Sequence, residues 1–312
     1  GLAGDALTTG SFSVAVGYAA LSTEDTADNN TAVGYAALTT LNGGDKNTAV
    51  GQSAAAAMTT GVNNTIVGTN AGDALTDADY NVALGVSALT TDTLGSRTTA
   101  IGTNALFSQN FTTATDSNNT AVGFEAGAAI TTGTLNTLVG ADAGKALTNS
   151  PLNTAVGYSA LSAATTGDLN TAIGAYSLST NILSDRNVAL GYQALQTHNV
   201  ATNADAYNTA VGFFAGRLIT TGVENTLVGG LAGDSLTDAD VNVAVGYSAL
   251  GADTLGSRTT AIGVGALARQ NFTTATEVMN TVVGAYAAED ITVGLQNTIV
   301  GALAGLQLTD AD

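Results

Sequence analysis

The sequence predicts an all-β fold, a parallel β-solenoid or β-roll wound in seventeen-residue coils. Three observations predict it. A glycine recurs at 17, 34, 51, 68, 85, 102, 123, 140, 157, 174, 191, 212, 229, 246, 263, 284 and 301; thirteen of the intervals are seventeen long and three are twenty-one. The residues before it repeat one phrase, Asn-Thr-Ala-Val-Gly, as at Asn30 to Gly34 and Asn153 to Gly157. The composition, with 38 Gly in 312 residues and much Ala and Thr, is poor for helices. So short a unit cannot hold the helix pairs of helical repeats. It suits one coil with two or three short strands and tight corners. Residues 1–312 therefore read as a single continuous solenoid domain, each coil adding about 4.8 Å.

Within a coil, numbered from its glycine as zero, each position has a physical reason. Position −1 is always Val, Ile or Leu, and position −2 is Ala in twelve coils and Ile, Leu or Val in five. Both rows are apolar although neighbouring strand residues point to opposite faces. One face fills the lumen of the coil. The other needs a cover, which predicts lateral association of several copies; the competing reading puts both rows in one flat lumen. Position +3 is Ala except at Ser177. With Ala at −2, it predicts close backbone approach at the seam between copies. Where Gly takes +4, a large apolar residue stands at +7, as in Gly72/Leu75, Gly127/Ile130, Gly144/Leu147 and Gly233/Leu236. This reads as compensation, one large group supplied from either of two sites.

Position −4 is Asn in fourteen coils: Asn30, Asn47, Asn64, Asn81, Asn119, Asn136, Asn153, Asn170, Asn187, Asn208, Asn225, Asn242, Asn280 and Asn297. In-register copies predict a ladder, each amide bonding the coils above and below.

The three long coils follow Gly102, Gly191 and Gly263. Each is preceded by an Arg at −5 and carries an acid at +14, at the same separation in all three: Arg97/Asp116, Arg186/Asp205 and Arg258/Glu277. That offset is close to one rung, which predicts ion pairs pinning the long loops. Phe111 and Phe272 in the loops read as plugs over the next rung, with recognition as the alternative. His198, the sole histidine, lies in a polar stretch and reads as a surface residue. Residues 64–140 also resemble 225–301, with Asn64 corresponding to Asn225, which indicates duplication of a block.

The composition excludes several classes. With 45% hydrophobic and 10% charged residues the chain is not an acidic disordered tail. A net charge of −18 disfavours nucleic acid and anionic membranes. Zero cysteines remove thiol and Cys-metal chemistry. No apolar run approaches the roughly 20 residues of a membrane span. No catalytic constellation is visible, and no cofactor is expected. Asp77/Asp79, Asp238/Asp240 and Asp310/Asp312 read as solvated turns or as Ca²⁺ ligands. Tyr18, Tyr35, Tyr158, Tyr192 and Tyr247, which follow the glycine, read as a seam between copies or as a glycan-stacking stripe. Gly1 to Asp5 matches Gly230 to Asp234, and Leu308 to Asp312 matches Leu236 to Asp240. The chain is thus expected to be part of a longer array, open at both ends and prone to end-to-end assembly.

The phrase that runs from Asn30-Thr31-Ala32-Val33-Gly34 to Asn297-Thr298-Ile299-Val300-Gly301 resembles the head repeats of trimeric autotransporter adhesins, the YadA-like or Hep/Hag family. The resemblance implies a trimeric, left-handed β-roll on a cell-surface fibre that meets a host-cell or surface glycan receptor. The Asn-Thr-Ala-Val-Gly-Tyr-x-Ala-Leu version is also similar to shaft repeats of phage tail fibres, which implies a virion filament used in host attachment. Both make the chain structural and non-enzymatic.

Overall fold

A computed structural model describes residues 3–24, 26–202 and 204–310. The chain forms two compact units, Gly1–Asn153 and Thr154–Asp312. Among the described residues there is no helix, and both units are stacks of parallel coils. Gly1, Leu2, Ala311 and Asp312, which enter the terminal matches and the last Asp pair, lie outside the described residues.

Each coil contributes one three-residue strand at −3 to −1, such as Thr31–Val33, Thr48–Val50 and Thr65–Val67 in the first unit. The register is strict: Val33 pairs with Val50 and Val50 with Val67. In the second unit Thr226 pairs with Val243 and Val228 with Val245. The expected second and third strands of an ordinary coil are absent among the described residues. The chain turns too soon for them. Residues at +2 and +4 take left-handed φ, as at Ala36 (56°) and Leu38 (49°), which breaks any extended run.

The glycine column fixes the spacing of the rungs. Gly34 has φ +143°, and a Cβ there would sit 2.3 Å from the Gly51 carbonyl oxygen. Gly212 repeats this against Gly229 at 2.4 Å. No other residue fits so close to the next rung.

The interior is thin. Ala at −2 and +3 is buried in all but the terminal coils, as at Ala32, Ala37, Ala244 and Ala249, beside Leu at +4 and a large group at +7. The alanine rows therefore line each coil's own lumen and do not form a seam between copies. Position −1 stays outside: Val33, Val50 and Val67 are half-buried, and Leu84 and Leu190 are exposed. The flat-lumen reading is thereby excluded. The Gly at +4 has a sharper reason than compensation alone. A Cβ on Gly144 would lie 2.7 Å from Leu138 and 2.8 Å from Leu147. The larger residue at −2 thus takes part in the exchange, and three sites share one volume.

Candidate functional site

The recurrent geometry of each coil centres on its asparagine. The Asn30 side-chain carbonyl accepts the Asn47 N–H at 2.8 Å, and that of Asn47 accepts the Asn64 N–H at 3.0 Å. Most of the amide nitrogens donate to a corner of the next rung, Asn47 to the Gly61 carbonyl at 2.7 Å and Asn225 to Ala239 at 2.8 Å. The ladder is buried except at Asn297, which is half-buried. It serves the backbone of the corner as well as the neighbouring asparagine, a second role that spacing alone does not show.

The first and third long coils interrupt this ladder in an orderly way. Thr99 pairs with Thr120, Val188 with Thr209 and Thr260 with Thr281, so the four extra residues leave the strand register unchanged. Thr98 and Thr259 replace Asn at −4, and a glutamine fills the space. Gln109 Nε2 donates to Asp92 at 2.6 Å and to the Thr98 hydroxyl at 3.1 Å, while its carbonyl accepts from Asn119 at 2.9 Å. Asp92 also accepts the Gly95 and Phe111 N–H groups at 3.1 and 3.0 Å. Gln270, Asp253, Thr259 and Asn280 repeat the arrangement in the second unit. The two glutamines and the two aspartates stand at +7, the position held in most other coils by Leu, Ile or Met. A polar residue at that place in the repeat was the signal in the sequence, and the apolar +7 of those coils masks it.

Outside the lumen, Arg97 Nε lies 3.0 Å from Asp116, Arg258 Nε lies 3.2 Å from Glu277, and Arg186 contacts Asp205. The pairs are about half exposed, and Arg97 and Arg186 also lie over the rings of Tyr80 and Tyr207. In the first and third long coils two-residue strands flank the pair, Gly95–Ser96 with Thr115–Asp116 and Gly256–Ser257 with Thr276–Glu277. Phe111 and Phe272 are buried over the coil, as plugs. Pairs absent from the spacing argument also occur: Lys145 meets Glu125 at 2.5 Å and Asp142 at 3.1 Å, and Arg269 meets Asp290.

His198 contradicts the surface reading. Its side chain is 0% exposed. The polar residues around it in sequence belong to the turn. Position +7 faces inward in every coil except the last, where Leu308 is exposed, and the histidine stands at +7.

The paired aspartates act as rung acceptors. Asp79 accepts the Val62 N–H at 2.8 Å and Asp77 the Thr60 hydroxyl at 2.7 Å; Asp240 and Asp238 do the same for Val223 and Thr221 at 2.9 and 2.6 Å. Among the described residues no three acidic or histidine side chains gather into a group that could hold a metal ion.

The outer face of the strands has its own character. No coil places Asp, Glu, Lys or Arg at −3, −1 or +1, although the chain carries 25 acidic and 7 basic residues. Tyr18, Tyr35, Tyr158, Tyr192 and Tyr247 are exposed along it. Tyr18 stacks on Tyr35 with centroids 5.4 Å apart, and Tyr192 on Phe213 at 5.7 Å. Tyr176 meets Tyr158 and Tyr192 edge-on. The faces of these rings are thus turned partly toward one another.

The fold and this face define a β-solenoid repeat protein. No family model matches the chain, and no curated protein matches it in sequence. No helix among the described residues is long and apolar enough to cross a membrane.

Proposed function

We propose that this chain is a structural repeat segment of an extracellular surface fibre, adhesive and not catalytic, built from several copies side by side. The observation that supports it is the uncharged apolar face on a chain of net charge −18. Charges crowd the corners, so copies repel one another there and meet at least cost along −3, −1 and +1. Exposed apolar rows of this extent mark interaction surfaces. A second stack with the same rung spacing matches the rows of Val, Leu and Tyr over many coils, which an unrelated surface cannot do. Three copies about a shared axis is the number the adhesin resemblance implies. A cell-surface or virion setting and a glycan receptor follow from the same reading.

Sedimentation equilibrium tests the assembly. The chain is expected to sediment as a multimer, and the double variant V228D/V245D as a smaller species with unchanged circular dichroism. A wild-type monomer at micromolar concentration overturns the reading. Adhesion of beads coated with the chain to host cells, compared with uncoated beads, tests the adhesive part.

A further inference from the structure

His198 stands where Gln109 and Gln270 stand in the other long coils. Those glutamines are fully engaged, each with an aspartate, a threonine hydroxyl and a ladder asparagine. Among the described residues neither ring nitrogen of His198 has a hydrogen-bond partner, although the side chain is wholly buried.

The neighbouring residues explain the difference. Where the first and third long coils have Thr98 and Thr259, the middle one keeps Asn187. Its amide donates to the Ser184 hydroxyl and the Asp185 carbonyl, each at 3.2 Å. Where the others have Asp92 and Asp253, the middle one has Asn181, whose side chain is bonded to Ser184. The histidine therefore occupies a polar position whose usual partners are committed elsewhere.

The loop around it is also less fastened than its counterparts. The paired two-residue strands of the other long coils shrink to a single bridge between Asp185 and Asp205. Val200, a smaller group, is buried in this loop where Phe111 and Phe272 are buried in the others.

We propose that His198 makes the middle long coil an acid-sensitive joint, in which a proton on the buried ring opens the loop so that the imidazolium can reach water.

The charged groups of the surrounding coils do not offset that proton. Arg186 and Asp205 pair with each other on the outside. Asp185 accepts the Asp168 N–H. Burial raises the carboxyl of half-buried Asp234, and Arg217, which lies over the Phe214 ring, partly offsets that rise. Among the described residues the Thr220 backbone is the one polar group that favours a proton on the ring, and its carbonyl already accepts the Asn199 N–H at 2.7 Å. Burial dominates and holds the imidazole down to about 4 from an ordinary 6.5. The group is neutral in both folded and open states above pH 6.5, so stability is complete there. It is lost progressively as pH falls from 6.5 toward 4, and the opening constant rises by up to about 300-fold.

The test uses the whole chain and needs no ligand. The single histidine gives one carbon-13 resonance to titrate, while hydrogen exchange compares the 195–202 loop with its counterpart at 267–274. The ratio between the two loops cancels the intrinsic pH dependence of exchange. The expected result is a rising ratio between pH 6.5 and 4 and a histidine that stays neutral in the closed form well below pH 6. His198→Gln is expected to abolish the rise. A histidine titrating near 6.5 with a flat ratio overturns the proposal, as does an equal rise in the variant. The wild-type titration decides the matter even where the variant does not fold. The inference stands apart from the fibre reading, since sedimentation tests one and exchange the other.

Discussion

Gln109 donates to Asp92 at 2.6 Å inside the first unit, and Gln270 donates to Asp253 at 2.6 Å at the equivalent place in the second. A carboxylate in a lumen otherwise lined by Ala and Leu is costly unless its oxygens are filled. Here the glutamine fills one, and the other accepts a backbone N–H of the long loop, from Phe111 or Phe272, and one of the aspartate's own corner, from Gly95 or Gly256. The pair therefore links the interior of the stack to the four-residue insertion on its surface.

Breaking that link has a signed pH dependence. Burial pushes the Asp253 carboxyl above its ordinary value, against the bonds from Gln270 and from the Phe272 and Gly256 N–H groups. Gln270→Leu removes one of the lowering bonds, so the carboxyl rises further and its charged form is penalised more. The variant is expected to lose about 2–4 kcal/mol at pH 7 and less at pH 4. Urea melts at the two pH values check it.

Glu24 predicts the opposite trend to His198. Its carboxyl is buried at +7 and is pushed up to about 7 by burial, against the Ala27 backbone and the Asn30 amide, with Asp45 and Asp28 adding to the rise. A raised acid contributes its full stability below its unfolded value of 4.5 and loses it as pH climbs through 7. Glu24→Gln is expected to flatten this loss, on the order of 1–3 kcal/mol. Hydrogen exchange in the coils around Asn30 between pH 4.5 and 8 measures it.

Asn64→Ala removes the acceptor of the Asn81 N–H and the donor to the Ala78 carbonyl. Both groups are left in a dry interior, at an expected cost of about 2–4 kcal/mol. Arg97→Ser, by contrast, breaks a half-exposed pair and is expected to cost about 0–1 kcal/mol. Parallel thermal melts of the two variants give the comparison.

Gly212→Ala and Gly43→Ala separate steric from conformational cost. Both glycines have positive φ, 142° and 107°. A Cβ at Gly212 strikes the Gly229 carbonyl, whereas nothing lies within 4 Å at Gly43. The first is expected to unfold its coil, and the second to cost roughly 1–2 kcal/mol. Limited proteolysis of the two variants distinguishes the outcomes.

The coil, its register and the asparagine column are legible in the sequence, because a fixed period with like residues in phase permits only in-register stacking; the single strand per coil is not. The Arg/acid offsets also placed charged groups that the fold brings into contact. What was illegible followed from direction. Whether −1 shared the lumen with −2 depended on a turn whose left-handed residues, among them Ala36 and Leu38, are not glycines. The burial of His198 is hidden for the same reason: its flanking Thr197 and Asn199 point to solvent, while its place in the coil turns it inward. The role of Gln109 required seeing that Thr98 left a gap.

Seventeen copies of a motif suggest a molecule with spare parts, but the glycine column removes that allowance. Within each unit, a glycine's missing side chain is the room in which its successor's carbonyl sits, so every coil is the wall of the one before. Damage at one rung is borne by two, and repetition in this chain confers no redundancy.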